Sequence, residues 1–487
     1  MQGDGEGDIP RMVRTGKQYR SALADGREVW LDRERVEDVS DHPAFRTAIG
    51  LRARLYDLAA RARLAEGLPG ETSPRRRNNL LNPPATQQDW QAMIDAAERR
   101  LAHCGTMVLA LGDPMSGDLW GLMDGSAMLA KGPVAGRIDA QVARTLQHDL
   151  FQPAASWNAE AELPLRGEPP GSVEAEGITL GPRLIRETGA GLVLRGLWIA
   201  PSTAIADQFY LRPGLGPNGF ACIVRAATPG LRHLCRAGPV FDADPGSVTA
   251  TGLGQTMVVF DDATIPWDDV LFLAEPALAR ETLRCQQVYG QASVLLQARQ
   301  ELDLLLGAIM WMARLTGAEG LPEVQSDLAE LACFRAGVSA HLSAAIGHGA
   351  VSAAGLWFPD ATLLHAGVLF LRGRSAGMLD LARQLLAAQV NLTTAMAPPG
   401  EAGGPGGWLG RFQQLALPWA LRDRQRLMAF AHEMLERNDA EDRAVFRPID
   451  ADLERFGLAQ IYHKYDFSGP LQLARRCAGL SDKVLAP

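Results

Sequence analysis

The spacing of apolar residues changes twice along these 487 residues, and that change restricts the fold more than any single motif does. From about 11 to 150 the pattern is mostly helical. Trp90, Met93, Ile94, Ala97, Leu101 and Cys104 recur at helical spacing within 89–111, just after the stiff entry Asn82-Pro83-Pro84. From about 155 to 275 short β-rich runs alternate with turns: 192–194 after the turn 188–191, then 220–224 and 257–260. Beyond 276 helical spacing returns, over 282–315, 322–347, 376–391 and 419–437. Gly317 serves as a C-terminal cap, Pro322 opens a first turn, and a Pro-Gly loop interrupts at 398–407. The pattern predicts an α+β chain: a helical domain over 1–154, an antiparallel β-barrel domain over 155–275 and a four-helix bundle over 276–487. It lacks the strand–helix alternation of a hydride-carrying nucleotide domain.

Composition narrows the function. A net charge of −8 disfavours a nucleic-acid role, which needs a clustered basic surface, and the run Arg75-Arg76-Arg77 reads as a solvated loop. No stretch of about 18 apolar residues is present to span a membrane, and the acidic, Gly-rich first ten residues resemble neither a signal nor a transit peptide. A cytoplasmic protein is expected. The six cysteines, scattered without a CxxC pair, read as reduced thiols.

Two patterns mislead. Gly214-Leu215-Gly216-Pro217-Asn218-Gly219 spells a dinucleotide loop, but such a loop must open a helix whose N–H groups face the pyrophosphate. Here a β-like run follows, so a loop between strands is expected. His341 and His348 lie seven apart with no carboxylate at helical spacing, which predicts structural histidines and no metal site. No G-x-S-x-G elbow is present for hydrolase chemistry.

Whole phrases carry more. Arg14-Thr15-Gly16-Lys17-Gln18-Tyr19, Asp25-Gly26-Arg27 and His42-Pro43-Ala44-Phe45 follow one another near the start. Later come 191–202, containing Arg195-Gly196 and ending at Ser202, then Phe260-Asp261-Asp262 with Ile265-Pro266-Trp267. In order and spacing these resemble the 4-hydroxyphenylacetate 3-hydroxylase family, and Phe456-Gly457 with Ile461-Tyr462 is similar to a family segment near the flavin. The resemblance implies an acyl-CoA-dehydrogenase-like fold, FAD supplied reduced by a separate flavin reductase, O2 as co-substrate, and a homotetramer. It also implies a dry pocket, because water destroys the oxygenated flavin.

The resemblance also assigns site positions, and several depart from it. The arginine that holds the phenol falls at Asp113, and no tyrosine follows; Ser116, Asp118 and Trp120 complete that wall. The family histidine falls at Ala154, with Ser156, Asn158 and Glu160 on the cofactor side, and a slipped register would offer His148 instead. The flavin-contacting threonine becomes Ser202, which keeps a hydroxyl, and Phe456 and Gly457 complete the cofactor set. Asp113, Ser116 and His148 are therefore the catalytic candidates, and Asp113, Asp118, Trp120 and Ala154 the substrate-binding ones. Replacing arginine by aspartate reverses the local charge and disfavours an anionic substrate. Asp113 and Asp118 favour a cationic, amine-bearing or neutral aromatic of the kind met in biosynthesis.

Three functions follow: a reduced-flavin monooxygenase with an altered pocket, a repurposed member catalysing a redox-neutral cyclisation or rearrangement, and a scaffold subunit. The iron–sulfur dehydratase branch needs two cysteines one helical turn apart, and Cys104 has none four residues to either side.

Overall fold

The computed structural model describes residues 15–65, 83–104, 114–129, 132–148, 181–201, 203–214, 219–237, 253–316 and 318–390, with Leu427, Leu458, Ala459 and Tyr462. Its internal contacts divide the chain into residues 1–448 and 449–487. Everything that follows concerns the first unit; in the second, Leu458, Ala459 and Tyr462 are helical.

The chain opens with α1 (Gly16–Ala22), β1 (Glu28–Leu31), β2 (Glu34–Val36), α2 (Pro43–Ala65), α3 (Gln87–Cys104), α4 (Pro114–Leu129) and α5 (Gly132–His148). Strands follow: β3 (Arg183–Thr188), β4 (Gly191–Pro201), β5 (Gln208–Leu211), β6 (Phe220–Arg225), β7 (Leu231–Ala237), β8 (Leu253–Pro266) and β9 (Val270–Leu273). Then come α6 (Pro276–Thr316), α7 (Pro322–Gly347), the short pair β10 (Ala350–Val351) and β11 (Trp357–Phe358), and α8 (Ala361–Val390).

Strands β1 to β9 form two sheets, in the orders β2-β1-β7-β8-β4-β3 and β5-β6-β9, and no pairing among the described residues closes them into a barrel. Both sheets contribute to one core: Leu192, Leu194, Val258 and Phe260 from the larger meet Phe209, Phe220 and Val270 from the smaller. Thr188 makes the β3–β4 turn, its hydroxyl donating to the Gly191 carbonyl at 2.9 Å. The G-x-G-x-x-G run lies between β5 and β6, which pair antiparallel, as a loop between strands requires.

The sheet is not wholly antiparallel, and its order departs from the expected zones. The Asp25-Gly26-Arg27 phrase leads into β1, which pairs parallel with β7 from Glu28↔Arg232 to Leu31↔Cys235. A segment expected to be helical thus supplies two strands of the larger sheet. Arg232 fastens the join, with Nε at 3.2 Å from Glu28 and Nη1 at 2.9 Å from Asp261.

α6 has 41 residues, a length of about 60 Å at 1.5 Å per residue. Leu295, Leu302, Leu305 and Ile309 are buried along it. α7 begins at Pro322 as expected. α8 begins fifteen residues before the expected start, capped by the Asp360 carboxylate, which accepts the Leu363 N–H at 2.8 Å. The expected helix over 419–437 lies outside the described residues apart from Leu427.

Candidate functional site

α4 carries the described part of the expected pocket wall, and glycine sets its position. Gly117, Gly121 and Gly125 recur every four residues on the side facing α6. A Cβ at Gly117 would lie 3.3 Å from Tyr289, one at Gly121 would enter the Gln286 backbone, and one at Gly125 would lie 2.6 Å from Thr282 Cα. The two helices therefore run almost backbone to backbone, and polar groups in their seam are removed from water.

Asp118 is one of them, 2 % exposed. Its Oδ1 accepts from Arg212 Nε at 3.0 Å and Nη2 at 2.8 Å. Its Oδ2 has no hydrogen-bond partner among the described residues, and neither does Gln286 Oε1. Gln286 Nε2 donates to the Asp118 carbonyl at 3.0 Å and to the Tyr210 hydroxyl at 3.1 Å, tying α6 to α4 and β5. Burial raises the Asp118 carboxyl above the usual carboxylate range, against the opposing pull of Arg212. The carboxylate expected to favour a cation is therefore already matched to one.

Six residues further along α4, Asp124 accepts the Tyr289 hydroxyl at 2.6 Å, the Ser352 hydroxyl and the Ala354 N–H. Burial raises this carboxyl as well. These bonds pin the β10–β11 hairpin to the centre of the helices. A cavity of about 170 Å³ opens beside it, lined by Asp124, Arg284, Cys285, Ser352 and Phe358 among others.

The N-terminal phrases act at the end of β4. Thr15 and Gln18 form a reciprocal capping box on α1. Tyr19, fully buried, donates to the Ile205 carbonyl at 2.9 Å. Arg27 Nη1 donates to the carbonyls of Ala204 at 2.8 Å and Ala206 at 2.6 Å, while Nε and Nη2 bind Asp25. Both phrases therefore grip the 3₁₀ turn Thr203–Ile205, which directly follows Ser202 in sequence.

Of the expected site residues, the side chains of Asp118 and Trp120 are described. Trp120 is 2 % exposed and packs edge-on to Trp90 and Tyr289. Ser116 lies in the first turn of α4 and His148 is the last residue of α5. Asp113, Ala154, Ser156, Asn158, Glu160, Ser202, Phe456 and Gly457 lie outside the described residues, so their convergence on one pocket is untouched by this geometry. His341 is structural, its Nδ1 2.8 Å from the Gly337 carbonyl and its ring stacked on Phe370. Sequence reasoning missed Arg212, Gln286, Tyr289 and Asp124. Gln286 and Tyr289, three apart on one helix, are the only local sign, and their partners are more than 70 residues distant.

Family comparison agrees with this arrangement of phrases. The profile for the 4-hydroxyphenylacetate 3-hydroxylase N terminal matches residues 15–272, and that for its C terminal matches residues 290–479. The chain belongs to the 4-hydroxyphenylacetate 3-hydroxylase family. The N-terminal match begins at Thr15, the α1 cap, so the grip on the Thr203–Ile205 turn lies inside the family region. Among its relatives is the 4-hydroxyphenylacetate 3-monooxygenase oxygenase component of Thermus thermophilus, 25 % identical over 95 % of this chain and 93 % of that one. The FADH(2)-dependent monooxygenase TftD of Burkholderia cepacia is 24 % identical over 76 % and 74 %. The pyoverdin chromophore biosynthetic protein PvcC of Pseudomonas aeruginosa is 26 % identical over 66 % of each.

Solved structures show the same fold. A 4-hydroxyphenylacetate 3-monooxygenase oxygenase component complexed with FAD and 4-hydroxyphenylacetate superposes with a TM-score of 0.78 at 21 % identity, covering 96 % of this chain and 98 % of that one. An archaeal 4-hydroxybutyryl-CoA dehydratase from N. maritimus also gives 0.78, at 16 % identity over 98 % and 97 %.

Proposed function

We propose that this chain is the oxygenase component of a two-component, FADH2-dependent monooxygenase whose substrate is a small aromatic that carries no anionic group near Asp113. One observation carries the reading: two family profiles in their native order match residues 15–272 and 290–479. Relatives named as oxygenase components or FADH(2)-dependent monooxygenases support it. PvcC, named for chromophore biosynthesis, supports a biosynthetic substrate in particular.

The described residues fit a bound flavin in one respect. The turn after Ser202 is held by three buried hydrogen bonds from Tyr19 and Arg27, as a hydroxyl serving a flavin ring requires. In this reading Ser202, Ala154, Ser156, Asn158 and Glu160 hold the cofactor. Reduced flavin, when bound, would supply the electrons that activate O2, and O2 the oxygen atom delivered to the substrate. The chain supplies position and dryness: α4 and α6 approach closely enough at Gly117, Gly121 and Gly125 to bury Asp118 between them. Asp113 takes the place of the family's phenol-binding arginine, where it repels a phenolate and accepts from an amine or a neutral hydroxyl. A separate flavin reductase, a homotetrameric assembly and a cytoplasmic setting belong to the same reading.

The test supplies FADH2 from a flavin reductase under ¹⁸O2, with matched phenols bearing an amine, a neutral or a carboxylate side chain. The expected result is one ¹⁸O atom in an amine-bearing or neutral product. Products bearing no ¹⁸O, or turnover confined to the carboxylate series, would refute it.

A further inference from the structure

Three aromatic rings from three helices meet in the interior: Trp90 of α3, Trp120 of α4 and Tyr289 of α6, each no more than 2 % exposed. Trp90 and Trp120 have centroids 5.8 Å apart, Trp120 and Tyr289 5.5 Å, and Trp90 stacks on Tyr289 at 6.2 Å with 12° between planes. Packing alone would be served by phenylalanine or leucine. What packing does not require is the acid–base couple at one end, where the Tyr289 hydroxyl donates its 2.6 Å bond to Asp124 Oδ2. A buried phenol with a raised pKa stays protonated, so losing an electron obliges it to lose its proton too. Asp124 is already bonded to that proton, and burial makes its carboxylate the more basic. The carboxylate also borders the cavity beside the β10–β11 hairpin, whose rim carries Met128 at 55 % and Val351 at 64 % exposure.

We propose that Trp90, Trp120, Tyr289 and Asp124 form an electron and proton relay that carries one-electron oxidation from the buried indoles to the cleft beside Asp124. The oxidant class is hydroxyl radical, formed when peroxide that an oxygenase releases on failed oxygen transfer takes one electron from a ferrous ion and expels hydroxide. The radical takes one electron from an indole and becomes hydroxide. The indole radical cation takes an electron from Tyr289, whose phenolic proton moves to Asp124 along the existing bond, leaving a neutral tyrosyl radical and a restored indole. A small thiolate reductant in the cleft then returns one electron while Asp124 returns the proton. The net change converts hydroxyl radical and thiolate into hydroxide and thiyl radical, with the protein unchanged. Trp120 lies six residues from Pro114 on α4, about 9 Å along the helix. Its oxidation would be irreversible without a donor behind it.

The inference rests on the oxygenase reading for its oxidant alone, so the test brings its own. Anaerobic full-length protein is flashed with a ruthenium(III) polypyridyl oxidant and followed by transient absorbance and freeze-quench electron paramagnetic resonance. Wild type should give a tyrosyl radical, and Tyr289→Phe a longer-lived tryptophanyl radical in its place. Asp124→Asn, which keeps the phenol and the shape of its partner, should slow tyrosyl formation about a hundred-fold, the usual scale for removing a positioned base. Near-ultraviolet circular dichroism confirms folding, and Trp120→Phe provides a second variant that should lower the tyrosyl yield. An unchanged tyrosyl signal in Tyr289→Phe, or unchanged formation rate in folded Asp124→Asn, would overturn the relay whatever the flavin chemistry proves to be.

Discussion

Arg212 grips Asp118 through one carboxylate oxygen only, with both donors on Oδ1 and Oδ2 left unpartnered among the described residues. Arg212 follows β5, so this pair ties the smaller sheet to α4. Arg212→Ala strands a buried carboxylate and should cost about 3–5 kcal/mol in denaturant unfolding at neutral pH. The pH dependence has a definite sign. The folded carboxyl lies above its unfolded value, so its contribution is fully present below the unfolded pKa and is lost as pH rises through the folded one. The Arg212→Ala penalty should therefore shrink on acidification, and a penalty that grows towards acid would show the pair to be wrongly read.

Glycine at the helix seam is a packing requirement, which a matched pair of substitutions separates from helix propensity. Gly121→Ala drives a methyl into the Gln286 backbone and should cost about 1–3 kcal/mol. Gly136→Ala in α5 meets nothing within 4 Å and should gain about 0.4–1 kcal/mol. Thermal or urea unfolding measures both, and equal effects of the same sign would remove the close-approach argument.

The grip on the Thr203–Ile205 turn should connect stability to cofactor binding. Tyr19→Phe removes one buried hydrogen bond, worth about 1 kcal/mol. Arg27→Lys cannot serve both the Ala204 and Ala206 carbonyls and Asp25 together, and should cost more. Both should also weaken anaerobic binding of reduced FAD, read by equilibrium dialysis. Arg27→Lys that destabilises the protein but leaves flavin affinity intact would confine these phrases to folding.

Parts of this architecture were legible because their causes are local. Pro322 opens α7 where a first turn tolerates proline, and Thr188 with Gly191 marks the β3–β4 turn. Other parts have distant causes. The start of α8 was hidden by Gly367, which breaks a helical pattern in isolation. In the fold it allows close approach, since a Cβ there would lie 2.7 Å from His341. β1 was hidden because its partner β7 lies some 200 residues away and pairs parallel. Asp118 was legible as a carboxylate on α4, but its meaning was not, because Arg212 is 94 positions distant.

In the proposed reading, Asp113 is the residue on which substrate choice turns. Asp113→Asn removes the charge with almost no change of shape. It should lower kcat/KM for an amine-bearing aromatic about ten-fold or more, roughly 1.4 kcal/mol. Melting temperature should be nearly unchanged. Unaltered steady-state turnover in this variant would return Asp113 to a turn-forming role beside Gly112 and Pro114.

Oxygen activation on bound flavin can be measured without knowing the substrate. The protein is loaded anaerobically with reduced FAD and mixed rapidly with O2, and flavin absorbance is followed. A transient absorbing species distinct from both reduced and oxidised flavin is expected, outlasting the same reaction of free FADH2 because a dry pocket protects it. Direct conversion to oxidised FAD at the rate of the free cofactor, with no intermediate, would contradict it.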